Sequence, residues 1–246
     1  MKFQIMSDLH IETRDDVPPI EEYIIPSSEV LILAGDIGRI HKFDQLSQFI
    51  KNLCLNFKTV IYILGNHEYY QVEGIEPKSM DCLLDDLEII KKENPNLYVL
   101  NRSCIIIENT CILGVTLWSR SYLEIPTSIV KIKNINKYNY NFMHEQDVEY
   151  VKTMINYCEI KKLKLIVVSH HCPSYNLIPH KQGYKYKDLY ASKLDYLVSK
   201  VPIWIFGHSH RNFDYLTEEN TRLVSNQKGK QKDKITSFSK TKVIEI

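Results

Sequence analysis

The hydrophobic pattern along the chain switches repeatedly between two periods. Short apolar runs rich in β-branched residues occupy positions 3–6, 30–34, 60–64, 98–100, 105–107, 111–118, 165–169 and 203–206, and each predicts a strand. Segments 43–56, 79–94, 143–160 and 188–200 carry apolar residues at helical spacing and predict helices. This alternation predicts an α/β protein, with a largely buried sheet covered by helices. The tail differs. Segments 212–216 and 222–225 flank Thr-Glu-Glu-Asn, a hairpin signal, and 242–246 predicts a last strand.

No internal repeat and no Pro-, Gly- or Ser-rich linker interrupts the pattern, so one domain over residues 1–246 is expected. Two segments fit it poorly. Residues 119–141 and 173–187 are rich in Tyr, Asn and Lys, and each follows a predicted strand. Long loops at strand ends are where α/β proteins build sites.

Composition narrows the class. Hydrophobic residues make up 44% and charged residues 25%, as in a soluble globular protein. The formal net charge of +1 supplies no global field to attract nucleic acid. The six cysteines form no C-x-x-C pair and mostly lie in apolar runs, which favours free thiols in a reducing compartment. The start, MKFQIMSDLH, has no signal-peptide core, and no stretch is long enough to span a membrane. A cytoplasmic protein without a membrane partner is expected.

The ends of the predicted strands carry the chemistry. The first reaches Asp8 and His10, the second Asp36, the third Asn66 and His67, a later one His170 and His171, and another His208 and His210. Imidazole, carboxylate and carboxamide together suit divalent metals. Two ions about 3.5–4 Å apart, bridged by one carboxylate, can clamp the attacking and leaving oxygens of a phosphoryl displacement. Residues two apart in extended backbone point to the same side, so Asp8 and His10 are expected to serve one ion together. His208 and His210 follow a glycine that permits a tight turn and face the same site.

The ordered set D-x-H, G-D, G-N-H-E, H-H-x-P and G-H-S-H, spanning Asp8 to His210, resembles the calcineurin-like metallophosphoesterase superfamily. The GVTLW strand and the tail RLVSNQKGK are similar to its small intracellular members. The resemblance implies a four-layer α/β/β/α sandwich of two mixed sheets flanked by helices. It implies Asp8, His10, Asp36 and His210 as ligands of a first metal, and Asp36 (as the bridge), Asn66, His170 and His208 as ligands of a second. His67 is implied as a catalytic histidine near the leaving group, and Asp36 as catalytic through the bridge. The implied reaction is in-line attack of a metal-bridging hydroxide on a phosphate mono- or diester, with a small nucleotide or phosphorylated metabolite favoured. Manganese leads among the ions, with Fe, Zn, Ni and Co also compatible. A nuclease, a protein phosphatase or a non-catalytic scaffold are the alternatives, and a nucleic-acid partner and the monomer-or-dimer question stay open.

Around that set, Asn66, Arg39 and His171 are candidate substrate contacts, with Arg39 able to hold a phosphate oxygen bidentately. Protein phosphatases of the superfamily carry G-D-x-x-D-R-G, in which the second aspartate supports the GNHE histidine. Here GDIGR lacks it, so a carboxylate partner for His67 is not evident. Trp118 and Tyr122, Tyr138, Tyr140, Tyr175, Tyr184 and Tyr186 either line a substrate rim or pack on their own loops. Lys131, Lys133, Lys137, Lys181, Lys185 and Lys187 would make a positive rim if the two loops meet over the site. His41, His144 and His180 lack such a context and read as surface or loop residues.

Overall fold

A computed structural model describes residues 1–178 and 185–246. His180, Lys181 and Tyr184 lie outside these described residues. The predicted strands assemble into two mixed sheets. The first runs, in spatial order, β11 (Val243–Glu245), β1 (Lys2–Met6), β2 (Val30–Ala34), β3 (Thr59–Ile63) and β4 (Leu97–Leu100), parallel except for β11. The second runs β5 (Ser103–Ile107), β6 (Thr110–Val115), β7 (Lys164–Ser169), β8 (Ile203–Ile205), β10 (Arg222–Val224) and β9 (Asp214–Leu216). Its central strands β6, β7, β8 and β10 are parallel, and β5 and β9 are antiparallel edges.

Alternate residues of each strand point to opposite faces, and in the central strands both faces are buried, whereas the edge strand β9 is exposed. Phe3, Ile5, Ile32, Ile61 and Ile63 meet Ile112, Ile166, Val168, Ile203 and Ile205 between the sheets. The intervening Leu31, Leu33, Val60 and Tyr62 pack under α1 (Phe43–Asn56) and α2 (Met80–Glu93). On the other side, Leu113, Val115, Leu165, Val167 and Trp204 pack under α3 (Lys137–Lys161) and the short α4 (Asp195–Val198). Burial on two faces is why the strands read as unbroken apolar runs. The result is the expected α/β/β/α sandwich.

Two helices differ from their sequence patterns. Periodicity starts the third at residue 143, but α3 begins at Lys137, where Asn136 and Asn139 form a reciprocal capping box. Of residues 137–142 only Tyr140 is buried, so the cap sets this start and no apolar stripe marks it. Further along, Asp147 accepts from Arg102 (2.8 Å) and from the Trp118 amide (3.2 Å). The predicted helix over 188–200 is helical only at α4, after a single 3-10 turn at Lys187–Leu189. Between them, Cys172 exchanges backbone bonds with Tyr190 and Ser192, which draws the chain out extended.

The six cysteines are free thiols; Cys111, Cys158 and Cys172 are buried, whereas Cys82 is exposed. Among the described residues no helix is long and apolar enough to cross a membrane.

Candidate metal centre

Parallel strands deliver their C-terminal ends to one edge of the sandwich, and the polar strand ends converge there. Asp8 and His10 follow β1, Asp36 follows β2, Asn66 and His67 follow β3, His170 and His171 follow β7, and His208 and His210 follow β8. The loops are laced together: the Asp8 amide donates to Gly35 O, the His10 amide to Asp36 O, and the Gly207 amide to His170 O. The His208 amide donates to the Asp8 carboxylate (3.1 Å), tying the first sheet to the second.

The extended-backbone expectation for D-x-H and H-x-H does not hold. Asp8, His10, Asp36, His208 and His210 all take left-handed backbone, with φ between 50° and 70°. The chain coils sharply past each strand, and the coil turns the side chains inward. Such backbone costs about 1–2 kcal/mol per non-glycine residue and concentrates at functional sites. Gly207, expected to allow a tight turn, instead permits close approach. A Cβ there would stand 2.8 Å from Asp8 Oδ2 and 2.9 Å from Ala34 O.

Proton positions follow from the outer partners. Carboxylates and carbonyls only accept, so the ring nitrogen facing each one carries the hydrogen. His10 Nδ1 donates to Glu12 (3.0 Å), His210 Nδ1 to Asp233 (2.6 Å), His170 Nδ1 to Ala34 O (2.9 Å) and His208 Nε2 to Leu189 O (3.2 Å). Asn66 Nδ2 donates to Tyr70 (2.8 Å), turning the amide oxygen inward. The remaining nitrogens therefore present lone pairs. His10 Nε2 and His210 Nε2 face each other at 3.1 Å, beside Asp8 Oδ1, 3.4 Å from His210, and Asp36 Oδ2, 3.8 Å from His10. On the other side of Asp36, His170 Nε2 lies 3.2 Å from Asp36 Oδ1, 3.1 Å from Asn66 Oδ1 and 3.2 Å from His208 Nδ1.

With these rings neutral, each nest gathers lone pairs that a single cation could take up. Donors about 2.0–2.2 Å from a shared ion stand roughly 3–3.5 Å apart, which is the spacing found. Asp36 turns one oxygen to each nest, as a bridging carboxylate must. Burial alone would raise its pKa, but the imidazoles of His170 and His67 beside it hold it well below the usual carboxylate range.

His67 adjoins this centre. Its Nδ1 donates to the same Glu12 oxygen as His10 (2.9 Å), its ring stacks on Tyr70 at 4.4 Å, and its Nε2 lies 4.0 Å from Asp36. Burial pulls its pKa below the ordinary imidazole value. The Lys230 ammonium donates to Nε2 at 3.3 Å. A cavity of about 270 Å³ opens over the centre, with Arg39, Lys131 and Lys230 and the rings of Trp118, Tyr140 and Tyr190 in its walls. His171 also lines it, packed at 4.1 Å on His208 and kept neutral by burial, its pKa down at about 3. Arg39 Nη1 donates to Gln71 O (3.0 Å), leaving its buried Nε unpartnered.

A family model for calcineurin-like phosphoesterases matches residues 1–212. The chain belongs to the calcineurin-like phosphoesterase family. It is accordingly a metal-dependent phosphoester hydrolase of a binuclear family. A protein of Acanthamoeba polyphaga mimivirus is 24% identical over 236 residues, 83% of each chain. Among solved structures, phosphopantetheinyl hydrolase of Mycobacterium tuberculosis superposes with a TM-score of 0.70 at 16% identity, covering 94% of this chain and 90% of that one. A dimetal phosphatase from Danio rerio gives 0.57 at 12% identity, over 91% and 86%. These structural likenesses concern the fold.

The phosphoesterase also contains residues that the motifs did not single out. Glu12 occupies the carboxylate place at His67 that the missing aspartate leaves open; its position two residues past His10 was the available signal. Asp233, which orients His210, lies 23 residues away and has no local signature. Glu68 is wholly buried and accepts from the amides of Asp36, Ile37 and Gly65 and from the Tyr62 hydroxyl. Of the rim residues, Trp118, Tyr140 and Lys131 reach the cavity. Lys133 and Lys137 are tied to Pro77 O and Tyr122 O, and Tyr138 is exposed. Tyr122 and Tyr175 line a separate cavity beside α3. His41 and His144 are buried rather than superficial: His41 accepts from the Lys78 amide, and His144 bonds Trp118 O.

Proposed function

We propose that the chain hydrolyses a phosphate mono- or diester of small-molecule size, a nucleotide or other phosphorylated metabolite, with two divalent cations. Asp8, His10, Asp36 and His210 would hold one; Asp36, Asn66, His170 and His208 would hold the other. The observation that carries this reading is Asp36, whose two oxygens each face a separate nest of lone pairs. When bound, such ions neutralise phosphate oxygens and acidify a water between them. The mixed nitrogen and oxygen donors suit manganese.

The protein's own groups do the rest. Arg39 and Lys131 line the cavity in which a phosphoester would sit. Water oxygen bonds to phosphorus as the ester P–O bond breaks, and the departing oxygen needs a proton or a hydrogen bond. His67 is the proposed donor, held by Glu12 with Nε2 towards the centre. The Lys230 ammonium, 3.3 Å from that nitrogen, would add a positive charge beside the departing oxygen. The rings of Trp118 and Tyr140 offer an apolar wall to an organic leaving group.

The test is hydrolysis of p-nitrophenyl phosphate and bis(p-nitrophenyl) phosphate by chelator-stripped protein, before and after adding Mn²⁺, Zn²⁺ or Ni²⁺. Metal content is measured in parallel. Two ions per chain and metal-restored cleavage of either ester are expected. Asp36→Asn should lose most of the activity and bind fewer ions. Full turnover in that variant would rule out the bridging role.

A further inference from the structure

The catalytic cavity has a neighbour. A second cavity of about 490 Å³ shares Tyr190, His208, His210 and Lys230 with it and continues past His210. Its other walls include Lys187, Arg211 and Lys232. Among its described lining residues the one carboxylate, Asp233, is engaged by His210 Nδ1 (2.6 Å) and the Lys230 amide (2.8 Å). Among the described residues no carboxylate lies within ion-pair distance of Lys187, Arg211 or Lys232; Lys187 and Arg211 instead lie over the rings of Tyr175 (6.0 Å) and Phe213 (5.5 Å).

This local excess stands out because the whole chain is nearly neutral, at +1. On the phosphoesterase reading, the reacting phosphate would already meet Arg39, Lys131 and Lys230, which line the first cavity. A neutral leaving group would find nothing to match in the second compartment. Clustered, unpaired cations in a concave site raise the local concentration of anions and reward a matching charge on the ligand.

Building on the phosphoesterase reading, we infer that the substrate carries a second phosphoryl group, seated among Lys187, Arg211 and Lys232 while the first lies at the metal centre. Such a group comes either from a separate ester on the same molecule or from a phosphoanhydride chain. Metal-loaded protein is therefore assayed with adenosine 3′,5′-bisphosphate, ADP and AMP, with p-nitrophenyl esters as a control for the chemistry. The expected result is kcat/KM at least tenfold higher for the bisphosphate or for ADP than for AMP; which of the two is favoured separates the sources. In the Arg211→Ala/Lys232→Ala double variant that ratio should fall about tenfold. Hydrolysis of the p-nitrophenyl esters with no advantage for either bisphosphorylated compound would overturn the inference alone. So would an advantage that the double variant retains. No hydrolysis of any ester would sink the phosphoesterase reading itself.

Discussion

Glu68→Gln tests how the turns of the candidate metal centre are held. The Glu68 side chain is fully buried and receives four hydrogen bonds: Oε1 from the Ile37 amide (2.7 Å) and Tyr62 (2.7 Å), Oε2 from the Asp36 amide (3.0 Å) and the Gly65 amide (2.8 Å). It thereby joins the turn after β2 to the turn after β3, which carry Asp36 and Asn66. Glutamine has the same shape, but one end becomes an NH₂ that cannot accept. If that end replaces Oε2, two amides lose their acceptor and face donor hydrogens. If it replaces Oε1, Ile37 does so, and Tyr62 must rotate to accept. A buried unsatisfied polar group costs about 1–3 kcal/mol, so the substitution should cost about 1–3 kcal/mol in the orientation that strands one amide and more in the other. In a chain of this size each kcal/mol lowers Tm by about 2–4 °C, so a drop of at least about 2 °C is expected. The assay is thermal unfolding of metal-free protein, with metal stoichiometry and ester turnover on the same samples. Displacement of Asp36 should lower both. A Tm within about 2 °C of wild type, with two ions and full turnover, would refute the idea that this carboxylate braces the centre.

Other outcomes follow from the same geometry. Gly65→Ala would put a Cβ 2.2 Å from Asp36 Oδ1 and 2.8 Å from His170 Nε2; activity should fall about a hundredfold, since misplacement by 1 Å can cost that much, while circular dichroism stays native. Glu12→Gln keeps an acceptor for His10 and His67 but removes its charge; metal affinity, read by competition with a chelating dye, should weaken about 10–100-fold. Burial would raise the Glu12 carboxyl, but hydrogen bonds from His10 and His67 bring it from 4.5 to about 2. It therefore stabilises the fold above about pH 4.5, and that contribution, about 3 kcal/mol at ~1.4 kcal/mol per pKa unit, is lost as pH falls towards 2. In metal-free protein, the stability gap between wild type and Glu12→Gln, measured by urea unfolding, should narrow over that window; a constant gap would contradict the ionised pairing. Chelation should lower Tm and added Mn²⁺ restore it, by about 2.7 kcal/mol of stability at a hundredfold excess over Kd; an unmoved Tm would argue against ions in the two nests.

Much of this protein was legible one residue after another. A strand covered on both faces must be apolar throughout, so β1, β2, β3, β7 and β8 announce themselves, and the few polar residues where each stops stand out by contrast. Asp8, His10, Asp36, Asn66, His67, His170, His208 and His210 were found in that way, and their order supported the resemblance that the family match bears out. What local pattern could not express was contact at a distance. That Glu12 serves His67, 55 residues on, and that Lys230 meets the same ring from 163 residues away, follow only from how the sandwich closes. The left-handed turns at the candidate ligands were hidden for a related reason. Strain of that kind is tolerated because the packed strands and their bracing hydrogen bonds impose it, and no preference of Asp or His for extended backbone reveals it. The start of α3 and the shortening of α4 belong with these, since a side-chain cap and a long-range backbone bridge outweigh helical periodicity. Residue type and spacing determined which chemistry the chain can support; the packing of the two sheets decided which carboxylate or carbonyl meets which histidine and which cations line the cavity.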